Sequence, residues 1–337
     1  MATRIALGQY LRNSRRTASI EEGQLIRLIE DVAYSSRILA AMVGHGALGE
    51  VLGAAGSHNV QGEEQQQLDI LANDVVLETI RRSRHARAMI SEEMDSVAEV
   101  EEARGYGRLL LLIDPLDGSG NIDINLPIGT IFSILEAPMA SQSILEHHVL
   151  QPGRRQLAAG YVLYGPSVVL VLTVGQGVAM FTLNRQVGEY LLVADKLQIP
   201  KGRHEYAINS ANERFWNDGV RRYIAECQAG KDGPLGADYS MRWTGAMVGD
   251  CHRVLLRGGI FMYPVDARTA SKGGKLRLLY EANPMAFLME QAGGAASDGQ
   301  RAILDIQPSS LHQRVGVALG DAEEVARLVG YATDTAP

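Results

Sequence analysis

Residues 114 to 123 read Asp-Pro-Leu-Asp-Gly-Ser-Gly-Asn-Ile-Asp and follow directly on the apolar run Leu109-Leu110-Leu111-Leu112-Ile113. A continuous apolar run fits a strand covered on both faces. Pro115 cannot donate a ladder hydrogen bond, so pairing is expected to stop there and leave Asp114 and Asp117 on the rim of a sheet. Pro115 fixes φ and Gly118 is free to take φ > 0, so the backbone can fold tightly enough to aim both carboxylates at one point. Hard oxygen ligands of this kind suit Mg²⁺ or Mn²⁺. Gly118-Ser119-Gly120-Asn121 adds small side chains and successive backbone N–H groups, the material of a phosphate-binding nest. Asp-Pro and Asp-Gly are also ordinary turn formers, but a turn needs one or two such residues and not this density of acids and glycines. The chemistry indicated is a metal beside a phosphate.

The elements that must position these groups follow from periodicity. From Ile20 to about Val43 apolar residues recur at helical spacing (Leu25, Ile29, Val32, Ala33, Ile38, Leu39), with Glu21 and Glu22 in the first turn. Residues 44 to 62 are rich in Gly and read as a candidate lid over a site, with a disordered connector as the alternative. Glu63 to Arg84 returns to helical spacing and carries Asp69 and Asp74. These two acids turn about 140° relative to each other on a helix, so they do not share one face closely. Ala88 to Ser91 and Leu109 to Ile113 read as strands, one closed by Glu92-Glu93 and the other by Asp114.

Gly129 to Leu135, Gly160 to Leu163, Val168 to Val174 and Val178 to Leu183 read as strands of an antiparallel or mixed sheet. Beyond Pro200 strands and helices alternate. Tyr206 to Asn209, Gly258 to Tyr263 and Leu276 to Tyr280 read as strands, and Glu213 to about Cys227 as a helix. Asn283 and Pro284 supply an N-cap and first-turn proline for a helix over Met285 to Gln291, stopped at Gly293-Gly294. The expectation is an α/β protein, an α+β layered sandwich of alternating helix and sheet layers. A first domain over residues 1 to 199 is built on long helices and a largely antiparallel sheet, and a second α/β domain covers 200 to 337. The active site is expected between them.

Bulk properties narrow the class. A chain of 337 residues with 46% hydrophobic content can bury a large core and is long enough for two domains. Its longest apolar stretches fall far short of the roughly 20 residues of a membrane helix, and the N-terminus lacks the apolar block of a secretory signal, so a cytoplasmic location and no membrane partner are expected. A formal charge of −7 without a basic stripe argues against nucleic-acid binding. Cys227 and Cys251 have no metal-ligand spacing and read as buried thiols.

Acids at strand ends or helix edges are then Asp69, Asp74, Glu92, Glu93, Asp114, Asp117 and Glu281. If even four meet in one cleft, mutual repulsion raises their pKa values unless divalent ions neutralise them. Such a site polarises a phosphoryl oxygen, stabilises the leaving alkoxide and lowers the pKa of a bound water, which makes phosphate monoester hydrolysis the reaction class. Arg242, Lys272, Lys275 and Arg277 could form a basic pole for a second phosphate, with Lys275 and Arg277 on one side of a strand. They read equally as a solvated basic edge.

At this point the chain resembles, over nearly its full length, the class I fructose-1,6-bisphosphatases of the lithium-sensitive, metal-dependent phosphatase superfamily. The resemblance is carried by Asp-Pro-Leu-Asp-Gly at 114 to 118, Leu-Asp-Ile-Leu-Ala-Asn-Asp at 68 to 74, Ser-Glu-Glu at 91 to 93, Gly-Gly-Ile-Phe-Met-Tyr-Pro at 258 to 264 and Gly-Lys-Leu-Arg-Leu-Leu-Tyr-Glu-Ala-Asn-Pro-Met-Ala at 274 to 286. It implies metal ligation by Glu92, Asp114, Asp117, Glu281 and the backbone carbonyl of Leu116, with two or more Mg²⁺ (or Mn²⁺) ions. It implies that Asp74 and Glu93 help activate the attacking water, with Asp69 near the metals. Gly118 and Ser119 cradle the 1-phosphate. Asn212, Tyr263, Lys275 and Arg277 match positions that hold the sugar and its 6-phosphate, and Arg242 an arginine that reaches into a neighbouring subunit's site. The implied activity is hydrolysis of fructose 1,6-bisphosphate to fructose 6-phosphate and phosphate, in gluconeogenesis or the Calvin cycle, by a homotetramer. The alternatives weighed against it are an inositol or nucleotide monophosphatase and a non-catalytic sugar-phosphate-binding regulator.

The chain also departs from its relatives. Ser119-Gly120-Asn121 stands where many have Ser-Ser-Asn, and Phe215 and Trp243 replace two tyrosines that commonly contact the 6-phosphate. A pocket relieved of two phenol hydroxyls brings sedoheptulose 1,7-bisphosphate forward as a second substrate. Where AMP-inhibited relatives carry Thr-Gly-Glu-Leu-Thr and Lys-Tyr, this chain reads Glu22-Gly23-Gln24-Leu25-Ile26 and Arg108-Leu109, so weak or absent AMP inhibition is expected.

Overall fold

The computed structural model describes residues 4–14, 20–46, 54–58, 64–138 and 143–334. The chain opens with helices α1 (Leu7–Ser14) and α2 (Ile20–His45). The helical spacing read from the sequence is used as expected: Leu25, Leu28, Ile29, Val32, Ala33, Leu39 and Ala40 of α2 are buried. A small hairpin of β1 (Ala54–His58) and β2 (Glu64–Gln66) precedes α3 (Gln67–Ser83), so the helix expected from Glu63 starts later, its first turn taken by β2. Of the glycine-rich stretch read as lid or connector, residues 47–53 and 59–62 lie outside the described residues. So does the side chain of Glu22.

An eight-stranded sheet follows. Its strands are β3 (Ala88–Ser91), β4 (Ala98–Glu99), β5 (Leu109–Asp117) and β6 (Ile128–Glu136), then, after the short helix α4 (Glu146–Val149), β7 (Ala158–Tyr164), β8 (Val168–Thr173), β9 (Val178–Asn184) and β10 (Glu189–Ala194). The order is β10-β9-β8-β7-β6-β5-β3-β4, antiparallel throughout except for the parallel pair β3 and β5. β10 was not anticipated from the sequence; at this edge Leu192 donates to the Ile5 carbonyl over 2.9 Å.

The remaining elements are β11 (Glu205–Ala207), α5 (Asp218–Gln228), β12 (Ser240–Met241), α6 (Met247–Arg257), β13 (Ile260–Tyr263), β14 (Leu276–Arg277), α7 (Asn283–Gln291), β15 (Ala295–Ser297), β16 (Arg314–Val315), β17 (Val317–Gly320) and α8 (Ala322–Asp334). β12-β11-β13-β17-β15 form a second sheet, and β14 pairs with β16. The helix expected from Glu213 is two pieces, a 3₁₀ turn over Ser210–Phe215 and then α5, whose start is fixed by Asn217 accepting from Val220 N–H at 2.9 Å.

Alternation along the strands separates the layers. Phe132 and Ile134 of β6, Val162 and Tyr164 of β7, and Leu170 and Leu172 of β8 pack with α1, α2 and α3. Ile131, Tyr161, Val169 and Val171 point the other way, onto α6, α7 and the inner face of the second sheet. Ile260, Met262 and Ala318 on that sheet's outer face meet α5 and α8. The result is five alternating layers of helix and sheet, the layered sandwich expected. Cys227 and Cys251 are buried free thiols. Among the described residues no helix is long and apolar enough to cross a membrane.

Two corrections bear on the site. Pairing does not stop at Pro115: the register shifts between Asp114 and Asp117, and the ladder resumes with Asp117 opposite Gly129. The irregularity absorbs the missing N–H, and the Pro115 carbonyl is used by the Thr130 hydroxyl at 2.8 Å. The strand expected over Leu276 to Tyr280 is only two residues long, because Leu278–Ala282 winds into a π-helical turn that runs directly into α7. Asn283 therefore lies inside the helix and is not its cap. A short apolar run looks the same in a buried strand and a buried helix, and Leu278, Leu279 and Tyr280 are all buried.

Candidate active site

Parallel pairing of β3 and β5 sets Ser91 opposite Ile113, so the two strands end side by side. Glu92 N–H donates to the Ile113 carbonyl at 3.2 Å, which places Glu92 beside Asp114. Asp114 Oδ1 accepts from Leu116 N–H at 3.0 Å, and this local bond turns the chain toward Asp117. Asp117 Oδ2 accepts from Val248 N–H at 2.7 Å, in the first turn of α6. Glu281 enters from the π-helical turn, its Oε2 accepting from Arg277 N–H at 2.5 Å. Carboxylate oxygens of Asp114, Asp117 and Glu281 lie within 4.8 Å of one another, and all three residues are buried.

Three buried carboxylates this close cannot all be ionised without a cation. Asp114 is pushed well above the usual carboxylate range by burial and then by Glu92, Asp117 and Glu281. Burial raises Asp117 to about 7 against the lowering effect of Val248 N–H, and raises Glu281 to about 8 against the nearby Arg277. Arg277, itself buried, supplies one positive charge from within: its guanidinium meets Glu92 and lies 3.6 Å from Glu281. The donor set, carboxylate oxygens of Asp114, Asp117 and Glu281 with Glu92 beside them, is made of hard oxygens and fits a divalent cation.

This cluster forms one end of a cavity of about 340 Å³ lined by Asp69, Glu92, Glu93, Asp114, Leu116, Asp117, Gly118, Ser119, Gly120, Tyr263, Lys275, Arg277 and Glu281. Gly118 adopts the left-handed conformation (φ 82°, ψ 31°) and starts the 3₁₀ turn Ser119–Asn121. A Cβ on Gly118 would fall 2.4 Å from Ala246 Cβ, so glycine is also what lets the loop before α6 close over this turn. Asn121 Nδ2 ties the two together, donating to the carbonyls of Thr244 at 3.0 Å and Pro127 at 3.2 Å.

Three residues expected at the site are not in this cavity. Asp74 is exposed on α3 while Asp69 is buried and lines the cavity. With the two acids about 140° apart on a helix, facing one toward the cavity turns the other away, so Asp69 and not Asp74 is on the cavity wall. Asn212 is buried beside a separate small void that shares Asn209 and Tyr263 with the main cavity. Arg242 is exposed, its Nη1 donating to the Met241 carbonyl at 3.0 Å.

Asn209, Gly245, Met247 and Phe261 line the cavity without having been singled out. Gly245, at φ 85°, was the one with a readable signal, a glycine in the loop before a helix. Of the two replaced tyrosine positions, Trp243 is a wall residue stacked 6.0 Å from Phe261. Phe215 is outside the wall and held between the guanidinium groups of Arg214 and Arg268, at 4.6 and 4.5 Å from its ring centre.

The raised pKa values predict a pH dependence. Unfolded carboxylates titrate near 4, so between about pH 4 and the folded values of about 7 and 8 the native metal-free protein holds more protons than the unfolded chain. Stability of the metal-free protein then falls as pH rises through this window. Thermal melts in a chelator should show the midpoint dropping from pH 5 to pH 8, and added Mg²⁺ should restore it most at the alkaline end. A midpoint that rises with pH in the chelator contradicts the cluster as described.

Comparison with known proteins gives the same fold and family from outside. Residues 5–195 match the family described as Fructose-1-6-bisphosphatase, N-terminal domain, and residues 199–333 match Fructose-1-6-bisphosphatase, C-terminal domain. Among solved structures the chain is similar to Leishmania major fructose-1,6-bisphosphatase in its holo form, with a TM-score of 0.91 and 35% identity over 98% of this chain and 99% of that one. The apo form of the same Leishmania major enzyme aligns with a TM-score of 0.86 and 33% identity over 98% of this chain and 100% of that one.

Proposed function

From the premise that the chain belongs to the fructose-1,6-bisphosphatase family, we propose an assignment of its cavity residues to the steps of that reaction. The protein is a phosphatase that hydrolyses fructose 1,6-bisphosphate, and its family is metal-dependent. The observation that carries the assignment is the buried cluster of Asp114, Asp117 and Glu281 directly beside the Gly118-Ser119 turn.

Glu92, Asp114, Asp117, Glu281 and the Leu116 carbonyl hold the metal, assigned as Mg²⁺ with two or more ions per subunit. When bound, the ions neutralise the phosphoryl oxygens and the leaving alkoxide and acidify the attacking water. Gly118 and Ser119 orient the 1-phosphate through backbone N–H groups and the Ser119 hydroxyl. Glu93 and Asp69, which line the cavity, are assigned the acceptance of the proton of the attacking water. Tyr263 and Lys275, with Asn212 behind Asn209, serve the sugar and its distal phosphate. Arg277 has a double placement, expected at the substrate yet engaged with Glu92 and Glu281 here. Arg242, exposed, is assigned to a neighbouring subunit of a homotetramer.

Trp243 as a wall residue widens the reading to a second substrate. The indole is apolar where a phenol would donate, which favours a pocket accepting sedoheptulose 1,7-bisphosphate alongside fructose 1,6-bisphosphate. Steady-state phosphate release with Mg²⁺ is expected to give kcat/KM values for the two sugars within about one order of magnitude, a difference of about 1.4 kcal/mol. A preference for fructose 1,6-bisphosphate beyond about 10³-fold removes the second substrate and leaves a dedicated fructose bisphosphatase.

A further inference from the structure

Glu92 and Glu93 sit on a short turn after β3, whereas Glu281 sits on a π-helical turn nearly 190 residues later in the chain. Something must hold these two pieces at a fixed separation if their carboxylates are to share ions. One connection is the Arg277 guanidinium, which meets Glu92 and Glu281 at the carboxylates themselves; a second, made behind them, is His312, on the segment leading into β16. Its Nε2 lies 3.1 Å from the Met94 carbonyl, one residue past Glu93. Its Nδ1 lies 2.8 Å from the hydroxyl of Tyr280, one residue before Glu281.

The polarity of this bridge is settled by chemistry. A backbone carbonyl only accepts, so Nε2 carries the proton and donates to Met94; Nδ1 is then the acceptor, and the Tyr280 hydroxyl donates to it. Both bonds are satisfied at once by one neutral tautomer. Burial holds the His312 pKa below its ordinary value, against the raising effect of the Met94 carbonyl.

The surroundings make the bridge a rigid spacer. Tyr280 is fully buried and its ring meets the imidazole edge-on, with centres 6.0 Å apart. Leu278 N–H donates to the Gln313 carbonyl at 2.8 Å, and Leu276 pairs with Val315, so the His312 segment is laced to the strand that leads into the π-helical turn. On the other side Glu93 N–H bonds the Ser91 hydroxyl and Met94 N–H the Ser91 carbonyl, both at 3.3 Å. The turn bearing Glu92 and Glu93 is thus closed locally and anchored at Met94.

We infer that His312, with Tyr280, is a positioning residue for the metal site, setting the separation of Glu92 and Glu93 from Glu281 without touching ion or substrate. The inference rests on the metal-site assignment above. Losing a partner that orients a metal ligand costs about 10- to 100-fold in metal affinity.

The test is Mn²⁺ binding to the metal-free protein, read from the loss of the free-ion electron paramagnetic resonance signal, with KM for fructose 1,6-bisphosphate measured at saturating Mg²⁺. His312→Ala is expected to weaken Mn²⁺ binding by about tenfold and to leave KM nearly unchanged. His312→Gln, which can keep the Met94 bond but not the Tyr280 bond, and Tyr280→Phe, which loses the same bond from the other side, should each weaken it severalfold. If His312→Ala does not fold, these two variants decide. Folded variants that bind Mn²⁺ as the wild type does, with only the melting temperature lowered, overturn the inference. Asp117→Asn serves as control: if it too binds Mn²⁺ like the wild type, the metal-site assignment has failed, and that outcome is distinct from failure of the bridge alone.

Discussion

Replacing Asp117 by Asn should abolish turnover while making the metal-free protein more stable. Asn keeps an oxygen to accept from Val248 N–H, the 2.7 Å bond that holds residue 117 against α6, so the local geometry has its anchor. What disappears is a carboxylate buried among others and raised by that burial to about 7. In the chelated protein at pH 8 the variant no longer confines that charge, and its melting temperature should exceed that of the wild type. With Mg²⁺ the order reverses, because one ligand has lost its charge and only the wild type gains from binding. Turnover of fructose 1,6-bisphosphate should fall by about 10³-fold or more, since losing about 4 kcal/mol of transition-state charge stabilisation is that factor. Thermal melts with chelator and with Mg²⁺, beside phosphate-release assays, check both halves. A variant less stable than wild type in chelator would show that Asp117 holds the fold together through more than its bond to Val248.

The opposite substitution is Arg277→Met, which removes the internal cation and leaves the acids. Its guanidinium is buried and meets both Glu92 and Glu281, so truncating it takes the buried positive charge away from both carboxylates. Breaking a buried ion pair from one side costs about 3–5 kcal/mol. In urea unfolding with chelator at pH 8 the variant should lose stability of this order, and at pH 5, where the acids take up protons, the loss should shrink. Mg²⁺ should recover much of it, because the ions supply the positive charge that Arg277 provided. A loss equal at both pH values and unaffected by Mg²⁺ would place the role of Arg277 outside the acid cluster.

The sequence carried the ingredients of this site more fully than its wiring. Periodicity placed α2 and α3, the run from Leu109 to Ile113 placed a strand covered on both faces, and twelve of the fifteen expected site residues line one cavity. Most of the differences were decided by a contact distant in sequence. Pro115 stops an ideal ladder, but β6 accepts a shifted register and resumes at Asp117. Leu278 to Tyr280 are apolar enough for a strand, and only the two-residue pairing of β14 with β16 makes the chain wind into a π-helical turn. The choice between Asp69 and Asp74 depends on which face of α3 meets the sheet. Helix α6 was missed because Gly245 and Gly249 interrupt its start in sequence. The engagement of Arg277 with Glu92 leaves no trace in local spacing.

That engagement also orders events during synthesis. Glu92, Asp114 and Asp117 leave the ribosome well before Arg277 and Glu281, by roughly ten seconds or more at about 5–20 residues per second. The strands β5 to β10 join neighbour to neighbour and need nothing downstream to pair. The nascent sheet therefore carries Glu92, Asp114 and Asp117 while Glu281 and the counter-charge of Arg277 are still untranslated. The counter-charge built into the chain is thus among the last parts of the site to be made.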